Sequence, residues 1–296
     1  MRLSPAQIQQ IERTVRRVPE VIVRVASAQS NDFGAVRKHF DRIARHGELG
    51  LETDCGQVVR GPSVGHRLME EMDLDLEEYR RRLELRVPRG KRLPKLVHKI
   101  ILSMPRDTPS QGLLTASRNF LREQFGSAHR YAFVLHIART HPYVHVVVKA
   151  MSERGVRLHI RKPTLRRWRL AFARHLREQD IAANATERVV RGQIRHSKPG
   201  AIYHTVRRGA STRLRLPEGA AAQLRRRELR RQSGKSKLVQ TRAAVERRWR
   251  EILSSLIREG RQDLAEEVER FLNAMPPPRT GQEQLACELS AQSFER

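Results

Sequence analysis

The chain has 296 residues, with 59 Lys or Arg against 32 Asp or Glu, a formal net charge of +27. An excess of that size adds nothing to a fold but attracts polyanions, so nucleic acid is the default partner. Aromatic residues, at 5%, are too few for the Trp- or Phe-faced basic helix of a membrane-surface protein, and no apolar run is long enough for a membrane span.

The opening residues MRLSPAQIQQIERTVRRVPE lack the apolar stretch of a signal peptide, which sets a cytoplasmic location as the expectation. Ser4 and Pro5 start a helix over 5–17. PEVIVRVAS (19–27) alternates β-branched residues and reads as a strand. A helix over 32–47 follows, capped by Asp32, with Val36, Phe40 and Ile43 at helical spacing and Gly47 as its stop. Residues 51–61 read as a hairpin around Asp54-Cys55-Gly56, and 64–85 as a charged helix. KLVHKIILSMP (95–105) is a strand ended by Pro105, and 110–125 is a helix begun after Pro109. Two more strands, 130–137 and 143–152, are joined by a loop holding Pro142, and 164–179 is an amphipathic helix. Cys55 and Cys287 belong to no CxxC pair, which excludes a zinc knuckle or redox motif.

This order predicts an α+β domain, a central antiparallel sheet flanked by helices, over residues 1–195. A basic connector over 196–219 and a helical C-terminal region over 220–296 follow. The latter comprises a short basic helix (220–234), a long amphipathic one (236–260) with a stripe through Val245, Trp249, Ile252 and Leu256, and a last helix in 262–281 that stops at three prolines.

The stretch VLHIARTHPYVHVVVK (134–149) places three histidines within ten positions. Residues two apart on a strand share a face, so Tyr143, His145 and Val147 point the same way. If the strands on either side of Pro142 pair, His136 and His145 converge, and His141 swings in from the loop. Imidazoles on adjacent strands make a metal cage. The alternative is that they only satisfy carbonyls at strand ends.

The block HIARTHPYVHVVVKAMSERGVRLHIRKPTLRRWRLAFARHLREQDIAANATERVVRG resembles the third motif and following helix of the conjugative relaxases, and more narrowly the mobilisation nucleases of HUH endonuclease type. The similarity extends back through LVHKIILSMPRDTPSQGLLTASRNFLREQF and VIVRVASAQSNDFGAVRKHFDRIARHGELGLETDCG. The resemblance implies a relaxase-like fold and a role in conjugation or plasmid mobilisation. It further implies three histidines holding Mg²⁺ or Mn²⁺, which polarises the scissile phosphate of single-stranded DNA at a transfer origin. A tyrosine then attacks and stays joined to the 5′ phosphate. Relaxosome accessory proteins and type IV secretion coupling proteins are the implied partners.

Three positions depart from the family pattern. Laid on H-x-D-x-x-H-P-H-x-H, this chain has Tyr143 at the middle histidine and Ala138 at the acidic position. Laid on H-[LF]-x-Y-I-x-R-x-G, it has Arg42 at the nucleophilic tyrosine, in the run His39 to Gly47. A guanidinium cannot attack phosphorus, though it binds phosphate well. Tyr143 is then the candidate displaced nucleophile, with Tyr79, Tyr131 and Tyr203 elsewhere in the chain. His136, His141 and His145 are the candidate metal ligands, His141 standing in for the lost histidine. The candidate phosphate track comprises Arg42, Arg157, Arg161, Lys162, Arg166 and Arg167, with a second run through Arg225, Arg226, Arg227, Arg230 and Arg231; solvated faces are the alternative. Trp168 and Trp249 either pack in cores or stack on unpaired bases. Three functions remain open: a relaxase of a mobile genetic element with impaired cleavage, a non-catalytic relic that occupies or competes for origin DNA, and a basic protein binding RNA or a secretion partner.

Overall fold

The structure, a computed structural model, describes residues 2–26, 30–78, 93–137, 141–193, 235–280 and 283. It divides into two compact units, Val18–Ala185 and Met1–Arg17 with Thr186–Arg296.

The first unit is built on a six-stranded antiparallel sheet of order β1-β4-β6-β5-β2-β3. Its strands are β1 (Ile22–Ala26), β2 (Leu51–Thr53), β3 (Val58–Val59), β4 (Val97–Ser103), β5 (Tyr131–Ile137) and β6 (Pro142–Lys149). The three longest strands, β4 to β6, carry the β-branched runs and lie at or beside the centre. Here both faces are covered, so apolar residues line both sides. Val144, Val146, Val148, Tyr131 and Phe133 pack on one face against α4 (Ser110–Phe125) and α5 (Lys162–Arg177), through Phe120, Phe125, Trp168 and Phe172. Ala132, Val134 and Val147 pack on the other against α2 (Phe33–Ile43) and α3 (Val64–Glu71), through Val36, Phe40, Leu68 and Met69. The class is α+β, with a central antiparallel sheet flanked by helices.

Local signals set most boundaries. The Asp32 carboxylate accepts from Ala35 N at 2.6 Å and begins α2. Gly47, at φ +99°, follows its end. Gly56, at φ +84°, turns the β2–β3 hairpin, with Thr53 N donating to Gln57 O at 2.8 Å. The helix expected over 64–85 is interrupted: α3 ends at Glu71, Asp73 takes a left-handed φ of 50°, and helix resumes over 74–78. Arg130 fixes that turn, donating to Asp73 Oδ2 at 3.0 Å and Glu71 Oε1 at 3.2 Å.

The second unit contains α1 (Pro5–Val15), α6 (Lys235–Arg258) and α7 (Gln262–Asn273). Ser4 caps α1 in a capping box with Gln7. The division into two units places α1 with the C-terminal helices and ends the sheet unit at Ala185. The apolar face of α1, Ile8 and Ile11 with Leu3, is buried with Trp249, Leu256, Val268 and Phe271 of the C-terminal helices, and the division after the sheet falls at Ala185. Trp249 donates its indole N–H to Val190 O at 2.8 Å, and its ring lies 5.0 Å from that of Phe271. The basic connector and the helix expected over 220–234 lie outside the described residues. Among the described residues no helix is long and apolar enough to cross a membrane.

Candidate functional site

Strand pairing assembles the site. His136 lies opposite Tyr143, and Val134 opposite His145. Paired residues share a face, so His136, Tyr143 and His145 project together, beside Lys99, Ile101 and Ser103 of β4. The His136 and Tyr143 rings stack at 5.2 Å with an interplanar angle of 7°. His145 stands edge-on to both, at 5.0 Å from His136 and 5.2 Å from Tyr143. His141, just before β6, lies 5.6 Å from Tyr143.

Helix α2 covers this face and contributes a residue that the sequence places in the motif but gives no role. His39 is buried, and its ring comes within 6.1 Å of His145. Arg42, one turn further along α2, places Nη2 2.7 Å from His39 Nδ1. A guanidinium only donates, so Nδ1 accepts and the imidazole proton sits on Nε2. That Nε2–H is buried and has no hydrogen-bond partner; the same is true of His136 Nε2. His136 also makes a backbone hydrogen bond to Ile43.

The electrostatics are one-sided. Burial, with Lys99 and Arg42 adding to it, lowers the His39 pKa to about 3. Burial, His136 and Arg42 lower His145 to about 4. Burial and Arg45 lower His136. All three imidazoles are neutral at neutral pH. Lys99, itself buried, has its own pKa lowered by burial and Arg42.

The residues present do not fit the Mg²⁺ or Mn²⁺ that the relaxase resemblance implies. Of the three histidines the resemblance implies, the middle position is Tyr143, and the family's acidic position is Ala138, outside the described residues. The fixed charges acting on the three imidazoles are Lys99, Arg42 and Arg45, each repelling a divalent cation. Among the described residues no three His, Cys, Asp or Glu side chains are placed to hold a metal ion. The structure brings His136 and His145 together, but the third imidazole beside them is His39, whose tautomer points a proton, not a lone pair.

The other expected residues are dispersed. Arg157 is half-buried and donates to Lys95 O at 2.8 Å. Arg161 and Lys162 begin α5, and Arg166 and Arg167 are exposed on it. Helix α5 covers the sheet face opposite the histidines, so this basic row does not line their pocket. Arg225, Arg226, Arg227, Arg230 and Arg231 lie outside the described residues, as do Tyr79 and Tyr203. Tyr131 is buried in the core under α4 and α5. Trp168 and Trp249 are 2% and 3% exposed, which makes them packing residues rather than base-stacking platforms. His98 Nε2 donates to Leu158 O at 3.0 Å, and His175 is clamped between Glu123 and Glu178, at 2.5 and 2.8 Å. Both have structural roles.

Fold and site together define an α+β sheet domain with a cluster of imidazoles on its two central strands. Residues 60–181 match the family model described as Relaxase: MobA/VirD2-like, nuclease domain, a segment that contains His136, Tyr143 and His145 but not Arg42. The T-DNA border endonuclease VirD2 of Agrobacterium fabrum is 29% identical over 212 residues, spanning 67% of this chain and 46% of that protein. The chain thus matches about half the length of this curated relative. Among solved structures, the relaxase domain of MobM bound to plasmid pMV158 oriT DNA, an Mn-bound crystal structure, aligns at a TM-score of 0.42 and 13% identity. That alignment covers 65% of this chain and all of the other. Over residues 60–181 the chain is thus similar to relaxase nuclease domains.

Proposed function

We propose that this protein is a relaxase-family DNA-binding protein of a mobile genetic element, which holds single-stranded DNA at a transfer origin without efficient tyrosine-mediated cleavage. The observation that carries this reading is Arg42. At the position where the family pattern has its attacking tyrosine, a guanidinium is hydrogen-bonded to His39 at 2.7 Å. It holds a positive charge beside the imidazole pocket and offers no nucleophile. Binding through phosphates predicts affinity that falls with salt, with a log–log slope of about −0.7 per phosphate neutralised on a single strand.

One observation favours a second reading. Of the two described tyrosines, Tyr143 lies among the histidines, as a displaced nucleophile would. Its ring, however, is held flat on His136 by strand pairing, with little freedom to reach an in-line approach.

The test incubates the purified protein with single-stranded oligonucleotides tiling the DNA that flanks its own coding sequence, with Mn²⁺ or EDTA. Binding is read by fluorescence polarisation and cleavage on a denaturing gel. The expected result is salt-sensitive binding with no covalent adduct. An adduct that disappears in Tyr143→Phe replaces this reading with the displaced-nucleophile one. Absence of binding to every oligonucleotide removes DNA as the ligand.

A further inference from the structure

We propose that the imidazole pocket is an anion site: it takes a phosphodiester phosphate directly on side-chain cations and the His39 N–H, with no divalent ion. This rests on the DNA-binding reading above and assigns its central phosphate contact.

Three independent observations lead here. First, His39 is 6% exposed, and its Nε2 is buried with no partner. Because Arg42 occupies Nδ1, that nitrogen carries a proton and can only donate. A buried donor with no acceptor is costly, and such atoms are rare unless a ligand or water completes them. Second, Lys99 is 6% exposed and lies on the same sheet face, opposite Val147 and two residues from Ile101, the partner of His145. A buried lysine amine on the face that carries the imidazoles puts a basic group where a bound cation would otherwise sit. Third, Arg42 and Arg45, both exposed, act on His145 and His136 from the rim. Arg42 thus touches the pocket twice, holding the His39 tautomer through one Nη and adding its charge.

The donor set is therefore one N–H, one ammonium and one or two guanidinium groups around two neutral imidazoles. A phosphate diester carries one negative charge and two non-bridging acceptor oxygens, which match such donors. A divalent ion matches none of them. In the family arrangement the metal supplies the charge that meets the phosphate; here Lys99 and Arg42 supply it. This pocket can hold the phosphate but provides no Lewis acid, so the absence of a nucleophile at position 42 and the absence of metal ligation are one change in chemistry. His136, with Nε2 unpartnered, and His145 beside it keep the form of ligands, and two imidazoles beside fixed positive charges hold a divalent ion weakly.

The test has two readouts that separate this inference from the DNA-binding reading. The first titrates inorganic phosphate into ¹⁵N-histidine-labelled protein in EDTA and follows the ring nitrogens by long-range ¹H–¹⁵N correlation. The His39 Nε2–H resonance is expected to shift saturably, and less in Lys99→Met. The second measures affinity for a fluorescein-labelled single-stranded oligonucleotide. Affinity is expected to be the same in EDTA and in Mn²⁺, to fall about tenfold in Lys99→Met or Arg42→Gln, and to be largely kept in Lys99→Arg and Arg42→Lys. Thermal melting of each variant checks that the sheet is intact.

Stoichiometric loss of the free Mn²⁺ electron paramagnetic resonance signal, with DNA binding abolished by EDTA, overturns the anion site and leaves DNA binding standing. DNA binding that is unaffected by both neutral variants, with no phosphate shift at His39, also overturns it. A saturable phosphate shift without binding of any oligonucleotide supports the anion site and refutes DNA as its source of phosphate.

Discussion

Replacing His98 by glutamine should flatten the pH dependence of stability of the sheet unit. His98 is buried on β4, where its Nε2–H donates to the Leu158 carbonyl at 3.0 Å and Nδ1 has no partner. Burial outweighs the backbone bond and lowers its pKa from 6.5 to about 4. The folded protein therefore resists protonation that the unfolded chain accepts. The favourable contribution is present above the unfolded pKa and is lost as pH falls through the window from 6.5 toward 4. Between about pH 7.5 and about pH 5 this single group costs the fold about 2 kcal/mol. Glutamine can keep a donor toward Leu158 and does not titrate. Urea unfolding of wild type and H98Q at both pH values gives the two stabilities. Wild type should lose about 2 kcal/mol more than the variant on acidification. His39 and His145 also resist protonation, but they are present in both proteins and cancel in the difference. Parallel pH curves for the two proteins would refute the reasoning.

Arg118 of α4 holds Glu52 of β2 with two bonds, Nε to Oε1 at 2.6 Å and Nη2 to Oε2 at 2.8 Å. Arg118→Met should cost about 1–2 kcal/mol in urea unfolding, and the E52Q/R118M double variant should cost less than the sum of the singles. Gly47→Ala places a Cβ against the backbone of Gly61 at φ +99°, whereas Gly56→Ala, at φ +84°, meets open space. The former should lower the melting temperature distinctly more, since the left-handed strain of about 1–3 kcal/mol is shared and the clash is not. Trp249→Ala removes the Phe271 contact and the bond to Val190, and should cost about 3–5 kcal/mol, read as loss of helical signal at lower urea.

The parts of the fold that repeat every two residues were the most legible. The alternation in 95–105, 130–137 and 143–152 marked three strands, and the same periodicity put Tyr143 and His145 on one face before any pairing was known. His39 was hidden for the complementary reason. It interrupts the apolar stripe of α2 between Val36 and Ile43, and only the crossing of that helix over β5 and β6 turns it from a buried polar residue into part of a pocket. The basic row at Arg161 to Arg167 carried the same gap. Trp168, Phe172 and Leu176 mark the inward side of α5, but nothing local says which sheet face it covers. The break at Asp73 was likewise set from a distance, by Arg130 on the strand entering β5. The N-terminal helix is legible as a helix but its packing partners are not, because they are named only by the shape of the apolar surface around Trp249.

That assignment has a consequence for biosynthesis. Helix α1 is translated before the sheet unit, and its apolar face is buried with α6 and α7, which are translated after it. At about 5–20 residues per second, α1 waits on the order of tens of seconds for its packing surface. During that interval Ile8 and Ile11 must be shielded by other means, while the sheet unit, all of whose strands and covering helices lie between Val18 and Ala185, can already close. The nascent chain thus closes its sheet unit first and packs α1 last.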